Sequence, residues 1–420
     1  MLLYVLKLIC IYMFQNISAF ICGICGKQKT SHPNPIICST FAANYKTRIS
    51  VENFAKLGVK ADLIKGLNEL NIIKPTPVQA EVIPLLLEGN RDLVAQAQTG
   101  TGKTAAYGLP LLQKIDVNKK VIQGLILCPT RELGQQVAKQ LFKFTKYTEK
   151  VFTESVYGGA PIDKQIYALK RPTHIVVATP GRLIDLVKRK AVDLRNVKTV
   201  ILDEADEMLS MGFKTELDQI LKYTASSENK WLFSATMPHG INQIVNEHLA
   251  EDAHRVEISG RNVVNSKIEH QYLICEDGDK LNELLRFLKG KGDERGIIFC
   301  KTKTTAKKLV KQMQARNVAT DAIHGDLLQK ERDKVMRAFK KETLRLLIAT
   351  DIAARGLDIA DLAFVVHYQL PDKDEYYTHR SGRTARAGKE GISYCLVNSA
   401  EKKQLRHYEK TLDIAFKQVN

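Results

Sequence analysis

Ala97-Gln98-Thr99-Gly100-Thr101-Gly102-Lys103-Thr104 is the stretch that decides the fold of this chain. It follows the apolar run Leu93-Val94-Ala95, which predicts a strand, and it precedes Ala105-Ala106-Tyr107, which predicts the first turn of a helix. Glycines between a strand and a helix let backbone N–H groups converge on an anion, and the helix N-terminus adds partial positive charge. In this context Lys103 can reach the outer phosphates of a nucleotide, and the Thr104 hydroxyl can bind Mg²⁺. The alternative is a glycine turn in an ordinary α/β protein.

The amino-acid composition limits the class of protein. Of the 420 residues, 44% are hydrophobic and 26% are charged, which is typical of a globular chain long enough for two or three domains. The formal net charge of +17 favours a polyanionic partner, for which nucleic acid is the default. Four of the eight cysteines lie in later apolar runs and indicate reduced, buried thiols in a cytosolic protein: Cys128, Cys275, Cys300 and Cys395.

The first 48 residues differ from the rest of the chain and leave three interpretations open. Residues 1–25 are mostly apolar, although polar residues interrupt them, so they are a candidate membrane or targeting segment. Cys22 and Cys25 have the spacing of a metal-binding pair, but no second pair follows. The third interpretation is an extension with no role in the core function. A membrane span here would leave the remainder cytoplasmic, because Lys27 and Lys29 follow it.

From residue 49 to residue 252, short apolar runs alternate with stretches of helical spacing. The runs lack polar alternation, which predicts strands buried on both faces of a parallel sheet, with helices as crossovers. They are Gly124–Cys128, His174–Ala178, Thr199–Leu202 and Trp231–Phe233. Ligands of such sheets bind at the carboxyl ends of the strands, so the loops after these runs are expected to carry the chemistry.

Two acidic residues follow the run Thr199–Leu202. We expect Asp203, at the strand end, to hold Mg²⁺ through its water shell, and Glu204 to orient or deprotonate the attacking water. The alternative is a solvated helix start, where acidic side chains complement the helix dipole. A buried strand that leads directly into these carboxylates, downstream of Gly102-Lys103-Thr104, favours the catalytic interpretation.

A polar stretch at 253–266 predicts a linker, and a second alternating series occupies 267–420. Its loops carry Arg and His in place of a glycine loop. Arg383 and Arg386 are three residues apart and would share one face of a helix. Two guanidinium groups that face a nucleotide held by another domain fit the logic of arginine fingers, whereas an Arg-rich helix alone is more often a solvated face.

The order of these motifs resembles that of the DEAD-box ATP-dependent RNA helicases of superfamily 2. The resemblance extends from about residue 50 to the C-terminus and rests on segments in the family's order: Phe54, Pro75–Gln79, Ala97–Thr104, Pro129–Leu133, Thr179–Arg182, Asp203–Asp206, Ser234–Thr236, Ala349–Ile359 and His379–Gly388. It implies an α/β fold with two RecA-like parallel-sheet domains, at 49–252 and 267–420, joined by a flexible linker. It also implies that ATP binds in the cleft between the domains and that RNA lies across both.

The resemblance further implies roles for individual residues. In the nucleotide site, Phe54 would stack on the adenine, Gln79 would read it, and Asp358 would approach the ribose. Arg383 and Arg386 would complete the site from the second domain. The positions that match contacts to the RNA backbone are Arg131, Gly159, Thr179, Arg182, Thr350 and Arg355. The positions that match residues coupling hydrolysis to strand separation are Ser234, Thr236 and His379.

The arginine motif departs from the family pattern at two positions. Ser381 and Ala385 stand where the family usually has Ile and Gly. Neither change removes a charged group, but Ala385 restricts the backbone between Arg383 and Arg386. The sequence ends at Asn420, soon after this motif, so we expect no RNA-recognition module or basic tail within it.

We therefore expect an ATP- and Mg²⁺-dependent RNA helicase whose hydrolysis is stimulated by RNA and whose unwinding is local and non-processive. Contacts to the RNA backbone predict weak sequence preference and strong salt dependence. The alternatives are an ATP-gated RNA clamp with little unwinding, and a DNA helicase or translocase. The sequence also predicts a monomeric core in the cytoplasm, or a protein tethered to a membrane through residues 1–25.

Overall fold

The computed structural model describes residues 53–98, 100–258, 267–354, 356–357, 359, 362–385 and 390–419. Several predicted features lie outside the described residues: the segment 1–48 with its membrane, targeting and metal interpretations, most of the linker, and the side chains of Thr99, Arg355, Asp358 and Arg386. Among the helices that the structure describes, none is both long and apolar enough to cross a membrane.

The first domain is built on a seven-stranded parallel sheet. Its strands are β1 (Leu93–Gln96), β2 (Gly124–Leu127), β3 (Thr153–Val156), β4 (Ile175–Ala178), β5 (Thr199–Leu202), β6 (Asn229–Ser234) and β7 (His254–Glu257), and their spatial order is β3-β4-β2-β5-β6-β1-β7. A 3₁₀ turn at Phe54–Leu57 precedes the helices α1 (Ala61–Glu69), α2 (Pro77–Glu88), α3 (Lys103–Lys114), α4 (Arg131–Phe144), α5 (Ile162–Leu169), α6 (Pro180–Lys188), α7 (Ala205–Ser210), α8 (Lys214–Tyr223) and α9 (His239–His248).

The second domain repeats this architecture with another seven-stranded parallel sheet. Its strands are β8 (Ile268–Ile274), β9 (Gly296–Cys300), β10 (Thr320–Ile323), β11 (Leu346–Thr350), β12 (Phe364–His367), β13 (Gly391–Val397) and β14 (Phe416–Gln418), in the order β10-β11-β9-β12-β13-β8-β14. Its helices are α10 (Lys280–Lys289), α11 (Lys303–Gln314), α12 (Gln329–Lys340), α13 (Asp351–Ala354), α14 (Asp374–Ser381) and α15 (Lys402–Leu412).

The residues of the central strands explain why both sheets are covered on two faces. In β2, Ile126 packs into the core on one face, whereas Leu125 and Leu127 pack into the core on the other. In β9, Ile297 and Ile298 divide in the same way between two cores of the second domain. Strands that are apolar at successive positions therefore need helices on both sides, which confirms the predicted α/β class with two parallel sheets.

The predicted linker at 253–266 begins too early. Residues His254–Glu257 form β7, which pairs with β1 at the edge of the first sheet. Only Val256 of this strand is buried, so its polar majority gave no strand signal. The edge strand β3 was missed for the same reason, since only Val156 is buried there. The other domain boundaries stay predictions.

The strand order determines which loops meet. Strands β5, β6 and β1 are neighbours and run parallel, so their carboxyl ends lie along one edge of the sheet. The loop after β1 is the glycine stretch, the loop after β5 begins with Asp203, and the loop after β6 contains Ala235 and Thr236. Three of the predicted motifs are therefore brought together by topology alone.

Candidate functional site

The loop between β1 and α3 has the backbone of an anion site. Gly100 and Gly102 have φ angles of 80° and 92°, in the left-handed region that residues with a Cβ rarely adopt. Gly102 is the N-cap of α3, so Lys103 and Thr104 are the first two helical residues. The Lys103 side chain is 6% exposed, and its Nζ donates to Ala97 O at 2.9 Å. The loop thus combines a helix N-terminus with one ammonium group, which suits a phosphate.

The Gln79 carboxamide joins α2 to this loop. Its Oε1 accepts a hydrogen bond from Thr76 N at 3.0 Å, which is one of the two bonds of a capping box at the start of α2. Its Nε2 donates to Gly102 O at 3.0 Å, and a Cβ at Gly102 would overlap this carboxamide. Gln79 therefore stabilises the loop through its hydrogen bond to Gly102 O. Adenine reading by Gln79 stays a prediction, for which its Nε2 has a second N–H.

Phe54 lies in the hydrophobic core of the first domain. Its side chain is only 2% exposed and packs in the cluster that also contains Leu57 and Leu63. A base that stacked on this ring would first have to displace part of that packing. Adenine stacking by Phe54 stays a prediction, and the geometry gives it no support.

Asp203 is the buried carboxylate at the end of β5. Its Oδ2 accepts a hydrogen bond from the Tyr107 hydroxyl of α3 at 2.8 Å, and burial raises its pKa while the Lys103 charge lowers it. In the described part of the chain, Asp203 Oδ1 is a buried oxygen without a hydrogen-bond partner. Carboxylate and hydroxyl oxygens are the ligands that Mg²⁺ prefers, so Asp203 Oδ1 and the nearby Thr104 fit this ion.

Glu204 has an unusual backbone for its side-chain type. Its φ of 52° is in the left-handed region, where a non-glycine residue is uncommon and marks strain that tends to occur at functional sites. Burial raises the pKa of Glu204 to about 7, against the opposing effect of the Lys103 charge. A carboxylate with this environment suits a proton acceptor that works near neutral pH.

A cavity of about 230 Å³ lies between the two domains at these residues. Its lining from the first domain includes Lys103, Thr104, Asp203 and Glu204, and its lining from the second domain includes Gly356, Leu357 and Arg383. The Arg383 Nη1 donates to Leu357 O at 2.8 Å, which holds the guanidinium along the wall. The cavity thus has carboxylates and the phosphate loop on one side and a guanidinium on the other.

The predicted helical spacing of Arg383 and Arg386 is wrong for Arg383. Helix α14 ends at Ser381, and Arg383 lies in the turn beyond it. Two residues later, Ala385 has a φ of 54°, so the chain adopts a left-handed conformation where the resembling family usually has glycine. Arg386 lies outside the described residues. The turn, rather than a helix face, brings Arg383 to the cavity.

The loop after β6 is hydrogen-bonded to Asp206 of helix α7. The Thr236 backbone N and Oγ1 both donate to Asp206 Oδ2 at 2.9 Å. Ser234 Oγ donates to Thr236 O at 2.5 Å and accepts from Asp206 N at 3.3 Å. These bonds connect Ser234 and Thr236 to Asp206, which is compatible with the coupling role predicted for the first two.

His379 connects the second domain to helix α7 of the first. Its Nδ1 lies 2.6 Å from Glu207 Oε1. Burial lowers the pKa of His379, but the hydrogen bond and charge of Glu207, together with Asp206 and Glu204, outweigh burial and raise the pKa above its usual value. Glu207 directly follows the predicted motif Asp203–Asp206, and the sequence alone did not indicate it as a partner of His379.

Arg131 and its neighbours form a second ionic contact between the domains. Arg332 Nε lies 3.0 Å from Glu132 Oε1, and Arg131 Nη2 lies 3.5 Å from Asp333 Oδ1. Arg332 Nη2 also donates to Ala353 O at 2.6 Å, which fixes its guanidinium. Sequence reasoning missed Arg332 and Asp333, because nothing local to the start of α12 indicates that it meets α4.

The remaining predicted RNA contacts are distributed over both domains. In the first domain, the Arg131 guanidinium lies 5.0 Å from the ring centre of Tyr157, Gly159 has a φ of 80°, and Arg182 Nη2 donates to Ala160 O at 3.1 Å. The structure therefore brings Arg131, Gly159 and Arg182 to one loop region. Elsewhere, Thr179 is the N-cap of α6 and Thr350 is the buried last residue of β11. Their role in RNA binding stays a prediction.

Two family models match the chain. Residues 76–244 match the DEAD/DEAH box helicase model, and residues 279–388 match the helicase conserved C-terminal domain model. Among curated relatives, the DEAD-box ATP-dependent RNA helicase CshA of Bacillus cereus (strain ATCC 10987 / NRS 248) is 43% identical over 358 residues, which are 85% of this chain and 68% of the relative. The CshA protein of Bacillus subtilis (strain 168) is 41% identical over 85% of this chain and 72% of its own.

Solved structures agree with this result. Saccharomyces cerevisiae Dbp5 bound to RNA and ADP BeF3 is 30% identical, with a TM-score of 0.81 over 88% of this chain and 96% of that chain. Mss116p bound to ssRNA and AMP-PNP is 26% identical, with a TM-score of 0.78 over 87% of this chain and 78% of that chain. Both similarities extend over the two domains, so they concern their arrangement as well as their individual folds.

Proposed function

The chain belongs to the DEAD-box family of ATP-dependent RNA helicases, and we propose that it couples RNA-stimulated ATP hydrolysis to local, non-processive separation or remodelling of RNA duplexes and RNA–protein complexes. One observation carries this proposal. The cavity between the domains has Lys103 and the carboxylates on one wall and Arg383 on the other. A triphosphate in it would contact both domains, so the state of the nucleotide can control how the domains meet.

Each wall of the cavity has a distinct task. Lys103 and the backbone N–H groups of its loop hold the phosphates, while Thr104 and Asp203 hold Mg²⁺. When bound, Mg²⁺ neutralises charge on the phosphate oxygens. Glu204 orients the attacking water and accepts its proton. Arg383, with Arg386 as the proposed second finger, stabilises the charge that develops on the transferred phosphoryl group.

RNA is the proposed partner of the face that carries Arg131, Gly159 and Arg182. The net charge of +17 supports a polyanionic ligand, and guanidinium groups are suited to phosphates. The ion pairs Glu132–Arg332 and Glu207–His379 join the two domains. They would stabilise the arrangement in which nucleotide and RNA contact both domains. The proposed location is the cytoplasm, with a tether through residues 1–25 as the alternative.

The test is ATP turnover by the full chain with and without single-stranded RNA. We expect Mg²⁺-dependent turnover that rises with RNA and falls steeply with salt, and we expect Lys103→Ala to abolish it. The matching DNA strand, which lacks the 2′-OH, separates an RNA helicase from a DNA translocase. Displacement of a short RNA duplex separates unwinding from an RNA clamp. The proposal fails if no RNA stimulates the turnover of the wild-type protein.

A further inference from the structure

Helix α14 packs on its sheet through polar side chains. Tyr377, Arg380 and Ser381 have the i, i+3, i+4 spacing of one helix face, and all three are fully buried. An apolar face at such positions is the usual solution, because buried polar groups are costly unless each has a partner. Each buried polar group on this face therefore needs a hydrogen-bond partner.

The partners of this face converge on Ser393 of β13. Ser393 Oγ lies 2.9 Å from Ser381 Oγ, 3.1 Å from His367 Nε2 and 3.2 Å from the Tyr377 hydroxyl. A hydroxyl has one hydrogen to donate and two lone pairs to accept with. These three neighbours therefore use all the bonds that Ser393 can make.

Arg380 determines the direction of the bonds. Its guanidinium is bound to Asp351 through Nε and Nη2 at 2.5 Å and 2.7 Å, and its Nη1 lies 3.4 Å from His367 Nδ1. Arg380 Nη1 donates to Gln369 O at 2.7 Å, and because a guanidinium can only donate, its contact with His367 favours an unprotonated Nδ1 and a ring proton on Nε2. Burial, and then the Arg380 charge, lowers the pKa of His367 well below its usual value, which keeps the ring neutral.

The consequence is one bond of known direction. His367 Nε2–H donates to Ser393 Oγ, with Ser381 Oγ 3.4 Å from the same nitrogen, and Ser381 is one of the two remaining partners of the Ser393 hydroxyl. A Ser381 side chain without its oxygen leaves Ser393 one partner short in a site that water does not reach. Directional bonds fix a helix more narrowly than apolar contacts do, because a small rotation breaks them.

A rotation of α14 would displace Arg383, which lines the cavity, and His379, which contacts the first domain. Ser381 is the last residue of α14, His379 lies two residues before it, and Arg383 lies two residues after it. His379 contacts Glu207 of the first domain, and Arg383 lines the nucleotide cavity. We infer that Ser381, through Ser393 and His367, is a positioning residue that fixes the last turn of α14 and thereby aligns Arg383 and His379 for hydrolysis.

This inference rests on the proposed function, and it concerns a position at which the sequence has Ser381 where the resembling family usually has Ile. The test compares RNA-stimulated ATP turnover of Ser381→Ala with that of Thr320→Val. Thr320 is buried at the far edge of the same sheet, in β10, and its Oγ1 donates to Leu346 O at 3.1 Å. Both changes remove one buried hydroxyl, so they control for a general loss of stability.

We expect Ser381→Ala to lower kcat by about tenfold, equivalent to about 1.4 kcal/mol, with the KM for ATP unchanged within about twofold. Thr320→Val should leave kcat unchanged. Ser381→Cys, which keeps a weak donor, should be intermediate, and it keeps the test open if Ser381→Ala does not fold.

The double variant Ser381→Ala/Ser393→Ala should be no slower than Ser381→Ala alone, because the two residues act as one unit. Equal kcat values for Ser381→Ala and Thr320→Val, or additive losses in the double variant, would overturn the inference. Lack of RNA-stimulated turnover in the wild-type protein is a different result, since it overturns the proposed function and, with it, this inference.

Discussion

Gly356→Ala tests whether the two domains must approach closely for turnover. Gly356 has a φ of +64°, and a Cβ at this position would overlap the Thr130 side chain at the start of α4, in the other domain. An alanine with this backbone costs about 1–2 kcal/mol whether or not the domains meet. The overlap with Thr130 adds a further cost only in the closed arrangement, of about 1–3 kcal/mol if it resembles an overpacked core. That second cost corresponds to a loss of roughly 5–150-fold in the population that can react.

Gly292→Ala is the matched control. Gly292 lies in the same domain with a φ of +52°, but a Cβ there has no atom within 4 Å. Both variants carry the backbone cost, so thermal unfolding should show similar decreases in Tm. Only Gly356→Ala should lose RNA-stimulated ATP turnover, and Thr130→Ala in the same chain should restore part of it. Equal turnover by Gly356→Ala and Gly292→Ala would refute the reasoning, because it would show that this contact is not made in the reacting state.

Three further predictions concern the same interface. Arg383→Ala should lower kcat by about 10³–10⁵-fold with little change in ATP affinity, as steady-state kinetics and nucleotide titration would show, and a loss below tenfold would contradict the finger role. Glu207 raises the pKa of His379 when the two domains are in contact. The His379–Glu207 ion pair therefore stabilises this arrangement fully below pH 6.5, and the stabilisation is lost as the pH rises through the raised pKa of His379. RNA-stimulated turnover should therefore decline at alkaline pH, and Glu207→Gln should remove the decline; an unchanged pH profile would exclude this ion pair as its source. Ala385→Gly should raise the free energy of unfolding by up to about 1 kcal/mol, measured by chemical denaturation, because glycine adopts the φ of 54° without strain; a decrease would show that the lost side-chain contacts matter more.

The sequence predicted those parts of the fold that depend on neighbours along the chain. The runs that became β2, β4 and β5 are apolar at successive positions, because both of their faces are buried, and this pattern is visible without a structure. The edge strands β3 and β7 bury one residue each and leave no such pattern. Prediction therefore worked in the middle of the first sheet and failed at its two edges.

The candidate site divides in the same way. Lys103 and Asp203 follow strands whose carboxyl ends coincide, so the sequence and the rule for parallel sheets were enough to bring them together. Arg332 and Glu207 acquire their roles only from the way in which the two domains meet, which no local pattern encodes. Phe54 shows a different limit, because a motif match predicts a ligand role for a side chain that packs in the core, and that role stays a prediction.

The ionic contacts between the domains indicate how the domains are aligned. In three of them the first domain supplies a carboxylate and the second a cation: Glu132 with Arg332, Glu207 with His379, and the cavity carboxylates opposite Arg383. Buried ion pairs of this kind lose nearly as much free energy in desolvation as they gain in attraction, so they are poor sources of affinity. They are good sources of orientation, because like charges brought together by a wrong alignment are repelled. These ion pairs therefore contribute mainly to the alignment of the domains in which Arg383 faces the cavity carboxylates.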